Sequence, residues 1–140
     1  EHDLDELLDA EGDFVVAVDS LPADAEAEAR PRRAYWAICS EPHSRKMLLG
    51  NVTLKDMATT PVAAGITGEW TGILKTSAAG GKIIADMLSA MPPAELAKLS
   101  MPDLLRRLVK DGRTVRVVYT RGGWLDVNTL GDVVKGSEFR

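Results

Sequence analysis

The chain has 140 residues, enough for a single domain with a real core, and its 45% hydrophobic and 27% charged residues are ordinary globular values. A net charge of −4 gives no basic footprint for nucleic acid, and no apolar run is long enough to span a bilayer or to act as a secretory h-region. One cysteine, Cys39, rules out an internal disulfide and fits a reducing compartment, so the expectation is a soluble, cytoplasmic protein.

Leu4, Leu7 and Leu8 have helical spacing, and Gly12 is a plausible stop. The chain opens on Glu1 with no capping residue, as though inside a helix, which reads as the later part of a longer polypeptide. Residues 14–18 are a continuous apolar run typical of a buried strand, ending in Asp19-Ser20. Residues 21–33, rich in Ala and charge with two prolines, read as a loop or short surface helix. Residues 35–39 and 52–57 read as strands, with a polar loop over 40–46 between them.

Residues 66–75 are strand-like but carry Gly68 and Gly72, which mark a bulge or a close approach by ligand or backbone. Ser77 caps a helix whose Ile83, Ile84, Met87, Leu88 and Met91 form one face, and Pro92-Pro93 stops it. Ser100 and Asp103 frame the next helix, Leu104, Leu105, Leu108 and Val109 face inward, and Gly112 closes it. Residues 114–120 form a strand with Val115, Val117 and Tyr119 on one face. A short strand over 124–127 and a helix over 129–135 follow. The alternation of strands and helices predicts one α/β unit over residues 1–140, with a mixed, mostly parallel sheet flanked by helices.

Several residues could carry chemistry. Asp126, in Gly-Gly-Trp-Leu-Asp-Val-Asn-Thr at 122–129, sits between a short strand and a helix start, where ligands and metals collect at the edge of an open α/β sheet. It could give hard oxygen to Mg²⁺, or simply favour the following helix N-terminus. Glu69 and Trp70, between Gly68 and Gly72, read either as a small-molecule contact or as a bulged strand with a surface acid and a buried indole. Arg45 and Lys46, after His43 and Ser44, could hold a phosphate or phosphonate, or be solvated surface; Arg121 has the same two readings. Cys39 reads as a small buried hydrophobe. Nucleophile elbow, P-loop and dinucleotide fingerprints are absent.

The order of the motifs is more specific than any one of them. Asp13 to Asp19, Cys39 to Arg45, Gly68 to Lys75, Val115 to Tyr119 and Gly123 to Thr129 together resemble the nucleotidyltransferase domain attached to phosphoenolpyruvate mutases in phosphonate biosynthesis. That domain is similar to the phosphocholine cytidylyltransferases. The resemblance implies the later, acceptor-side part of a Rossmann-like domain that transfers CMP from CTP to a small phosphonate or phosphate, releasing pyrophosphate with Mg²⁺ as cofactor. Hydroxyethylphosphonate, aminoethylphosphonate and phosphocholine are all compatible acceptors in kind.

By the same resemblance Asp126 matches the family's metal-binding acid, and Asn128 stands where relatives carry a second one. Glu69 and Trp70 match the acceptor-side strand, Arg45 matches a Ser-Arg element, and Trp124 could join an aromatic or acidic cage around an ammonium group. The family's Gly-rich Arg/Lys loop and first metal-binding Asp have no counterpart in these 140 residues. The isolated segment is therefore expected to be inactive until that part is supplied, with a fused mutase domain as a further implied partner and self-association left open. The alternative is a degenerate, non-catalytic domain serving ligand binding or dimer assembly.

Overall fold

The structure is a computed structural model, and it describes residues 3–20, 35–44, 51–60 and 62–121. The expected loop at 21–33, strand at 124–127 and helix at 129–135 lie outside them. Helix α1 (Asp3–Asp9) leads into β1 (Phe14–Ser20), β2 (Trp36–Cys39), β3 (Leu54–Ala58) and β4 (Gly68–Thr76). Helices α2 (Ala78–Ser89), α3 (Pro93–Leu96) and α4 (Met101–Lys110) follow, and β5 (Arg116–Thr120) closes the described chain.

The five strands form one sheet in the order β3-β2-β4-β1-β5. Only β1 and β5 run parallel; β1–β4, β2–β3 and β2–β4 are antiparallel. The expectation of a mostly parallel sheet is thus corrected to a mixed one. Among the described residues the helices do not alternate with strands: α1 precedes β1, and α2, α3 and α4 come as one block between β4 and β5. Parallel neighbours need a crossover of a dozen or more residues, and short connections leave neighbours antiparallel.

Residues 14–18 of strand β1 are all apolar because both faces are covered there. Phe14, Val16 and Val18 join the larger core with Ala37, Leu54, Met57, Trp70, Leu104, Leu105, Leu108 and Val117, against which α2 lays Ile83, Ile84, Met87 and Leu88. Val15 and Ala17 alternate to the other face, where they meet Leu7 of α1 and Val118. Each fully buried aliphatic side chain of this kind stabilises the fold by about 1.5–3 kcal/mol.

The sheet also curls back on itself. Leu54 N donates to Val115 O and Val117 N donates to Val52 O, while Ser40 N donates to Thr53 O. Residues 52–54 therefore link β2 to the outer side of β5, covering an edge that would otherwise leave main-chain groups unpaired.

Local chemistry fixes the helix ends. Ser77 accepts from Gly80 N at 3.0 Å as the α2 cap. Ser100 and Asp103 form a complete capping box on α4. At the α4 exit Gly112 has φ +76°, Gly112 N donates to Val109 O and Arg113 N to Leu108 O, the paired bonds of a Schellman stop. Pro92-Pro93 does end α2, and Pro93 also begins α3, since a proline at the first helical position has no N–H to lose. Among the described residues no helix is long and apolar enough to cross a membrane.

Candidate functional site at the carboxyl edge of the sheet

Register places a row of side chains across the carboxyl end of β1. Asp19 pairs with Thr120 of β5 and with Glu69 of β4, and Glu69 pairs with Trp36 of β2. Directly paired residues project to one face, so Trp36, Glu69, Asp19 and Thr120 share the face that carries Val15 and Ala17. Two carboxylates so placed stand roughly 5 Å apart at Cβ, a repulsive arrangement unless positive charge attends it. Neither stands unpaired. Beside them Thr120 is buried, and among the described residues its Oγ1 has no hydrogen-bond partner.

The two glycines of β4 build this edge. A Cβ on Gly68 would lie 2.4 Å from Asp19 O and 2.5 Å from Val18 Cγ1, so only glycine lets β4 come this close to β1. Between Val16↔Leu74 and Val18↔Trp70 the register shifts, and Gly72 takes φ +85° in the resulting bulge. Thr71 Oγ1 donates to Ala17 O at 3.1 Å and holds the bulge against β1. Close approach and bulge, the two meanings open for glycine in this strand, are both realised.

Glu69 and Trp70 are neighbours in a strand and project to opposite faces, so they do not line one cage. Trp70 is 4% exposed in the core, donates its indole N–H to Ile73 O at 2.9 Å, and packs 5.9 Å from the Tyr35 ring. The indole on the Glu69 face is Trp36, which sequence reading passed over as an ordinary strand residue. Asp126, Trp124 and Arg45 lie outside the described residues.

A second group gathers where β5 ends. Tyr119 donates its hydroxyl to Glu41 O at 2.6 Å, and His43 meets the Tyr119 ring edge-on at 5.5 Å and 87°. Arg121 Nη2 reaches His43 Nε2 at 3.2 Å and Nδ1 at 3.5 Å. Beneath them, burial pushes the Cys39 thiol above its ordinary value, partly offset by hydrogen bonds with Thr67 and Tyr119. Burial likewise raises the Tyr119 phenol. Neither group ionises near neutrality, which leaves Cys39 the buried hydrophobe expected of it and not a nucleophile.

Among the described residues no three His, Cys, Asp or Glu side chains come together as a metal site. A shallow cleft of about 590 Å³ opens at the opposite, amino end of β1, lined by Glu11, Asp13, Asn51, Thr53, Arg113 and Arg116. Two of its charged side chains are committed to structure: Arg116 donates to Glu11 O at 3.2 Å and Asp13 accepts from Ser77 Oγ at 2.6 Å. The carboxyl edge is the better candidate because a buried polar atom there is unsatisfied. No protein-family model matches the chain, and no curated protein matches it.

Proposed function

We propose that this chain supplies the acceptor side of a CTP-dependent nucleotidyl-transfer site acting on a small phosphonate or phosphate such as hydroxyethylphosphonate. The observation that carries the reading is the parallel pair β1–β5, whose carboxyl ends set Asp19 and Thr120 side by side, with Arg121 following beside Tyr119 and His43, at the start of the Gly-Gly-Trp-Leu-Asp motif. Five residues of chain keep Asp126 within about 18 Å of Arg121, Cα to Cα. In open α/β sheets this edge is where ligands bind.

In the reaction an oxygen of the acceptor attacks the α-phosphorus of CTP, a P–O bond forms, the bond to the β-phosphate oxygen breaks, and pyrophosphate leaves. The attacking oxygen is already anionic, so no general base is required. That matches an edge whose thiol and phenol are both held protonated. Asp126 is the residue proposed to hold Mg²⁺. The oxygen donors of the edge, the carboxylates of Asp19 and Glu69 and the unsatisfied Thr120 hydroxyl, are of the hard class this ion takes. When bound, Mg²⁺ would neutralise charge developing at the phosphates. Glu69 and Arg45 are proposed acceptor contacts, with Trp124 beside them. Trp70 contributes from the core by fixing the Gly72 bulge.

The test is ³¹P NMR of a polypeptide carrying both this segment and the family's triphosphate loop, incubated with CTP, Mg²⁺ and 2-hydroxyethylphosphonate. A phosphonate–phosphate anhydride and pyrophosphate are expected in equal amounts. Asn128, where relatives carry an acid, favours a second reading as a non-catalytic ligand-binding domain. Acceptor binding by calorimetry with no pyrophosphate formed would select that one.

A further inference from the structure

We infer that Arg121 and His43 form a seat for a tetrahedral phosphorus oxyanion at the carboxyl end of β5. The ligand class deepens the nucleotidyl-transfer reading and rests on it, whereas the seat itself rests on geometry. The guanidinium lies against the imidazole, with Arg121 Nη2 3.2 Å from His43 Nε2 and 3.5 Å from Nδ1. Among the described residues Arg121 has no carboxylate partner. Among the described residues its charge is thus oriented by a ring and not by a carboxylate, an arrangement suited to an anionic ligand.

The orientation is built through three side chains. Glu41 O fixes the Tyr119 hydroxyl, the Tyr119 ring supports His43 from its edge, and His43 aligns the guanidinium. The half-buried imidazole sits on this support while Arg121 is exposed to an arriving ligand. A guanidinium edge matches two oxygens of a phosphonate at once, and an imidazole N–H beside it can add a further donor. Arg45 and Lys46 follow His43 within three residues of sequence, adding cationic charge to the segment that supplies the histidine. Glu41 is the acidic neighbour on that loop, and it opposes anion binding.

The site is tested by NMR of the chain labelled with ¹⁵N-histidine, titrated separately with methylphosphonate and with pyrophosphate. The expected result is a saturable movement of the His43 ring resonances, assigned with His43→Gln, while those of His2 stay put. Arg121→Ala should weaken binding about tenfold, equivalent to about 1.4 kcal/mol, with an unchanged amide spectrum elsewhere. Arg121→Lys should restore part of the loss, and Glu41→Gln should tighten binding. The stronger of the two probes names the source, acceptor for methylphosphonate and nucleotide for pyrophosphate. A His43 signal that moves with neither probe, or moves equally in Arg121→Ala, overturns the inference. Anion binding here without pyrophosphate release by the polypeptide that also carries the triphosphate loop would count against the proposed function and leave the seat standing.

Discussion

At the amino ends of β1 and β5, charged and polar side chains serve the backbone. Asp13 accepts from Ser77 Oγ and its carbonyl takes Ser77 N, Lys75 donates to the carbonyls of Leu8 and Ala10 at the end of α1, and Arg116 donates to Glu11 O. At the carboxyl ends the same residue types are arranged differently. Asp19 and Glu69 stand side by side, Thr120 Oγ1 is buried without a partner, and Arg121 rests on an imidazole. The amino end is held largely by side chains bonded to main-chain carbonyls; at the carboxyl end, among the described residues, Thr120 Oγ1 is a buried hydroxyl without a bond. Such an unsatisfied group is where a ligand gains most, because it supplies a bond the protein lacks.

The largest effect that could break this contrast is at the amino end. A Cβ on Gly80 would lie 2.2 Å from Asp13 O, so Gly80→Ala must push α2 off β1. It should cost about 2–3 kcal/mol in chemical denaturation. Gly72→Ala is the milder control: nothing lies within 4 Å, and only φ +85° is strained, a cost of about 1 kcal/mol. Equal losses at the two positions would deny that close contact with Asp13 O sets the cost at Gly80.

Thr120→Val sharpens the other half. It removes an unsatisfied buried hydroxyl at nearly constant shape, so stability should hold or rise by up to about 1 kcal/mol. Pyrophosphate release should fall. A destabilised variant with full turnover would place Thr120 with the structural residues.

A smaller effect follows from pH. The Cys39 thiol and Tyr119 phenol are both raised in the fold above their ordinary 9.0 and 10.0. Raised acids add stability that is complete below the unfolded values and is lost as pH climbs through the folded ones. Denaturation midpoints should therefore hold to about pH 9 and fall above it. Tyr119→Phe should flatten part of that fall.

Much of this was legible because it is local. Ser77, Ser100 with Asp103, and Gly112 act within one turn of their helices, and they cap where the sequence placed them. Gly68 and Gly72 announced a bulge and a close approach, though which was which depended on β1 lying alongside. The sheet order was not legible, since pairing β1 with β4 and β5 is decided by the whole core and not by the strands' own residues. Asp126 and Arg45 were singled out by local sequence and, with Trp124, given roles by motif order, and all three fall outside the described residues. His43 and Arg121 are 78 residues apart, and no local pattern joins them. Glu69 and Trp70 were grouped by adjacency, although strand alternation alone separates them.

The most direct measurement is Mg²⁺-dependent pyrophosphate release from CTP and hydroxyethylphosphonate, by the polypeptide that carries both this segment and the triphosphate loop, with and without Asp126→Ala. The account predicts that the variant folds with an unchanged melting profile and releases pyrophosphate only at background. Near-normal release by a folded Asp126→Ala protein would contradict it.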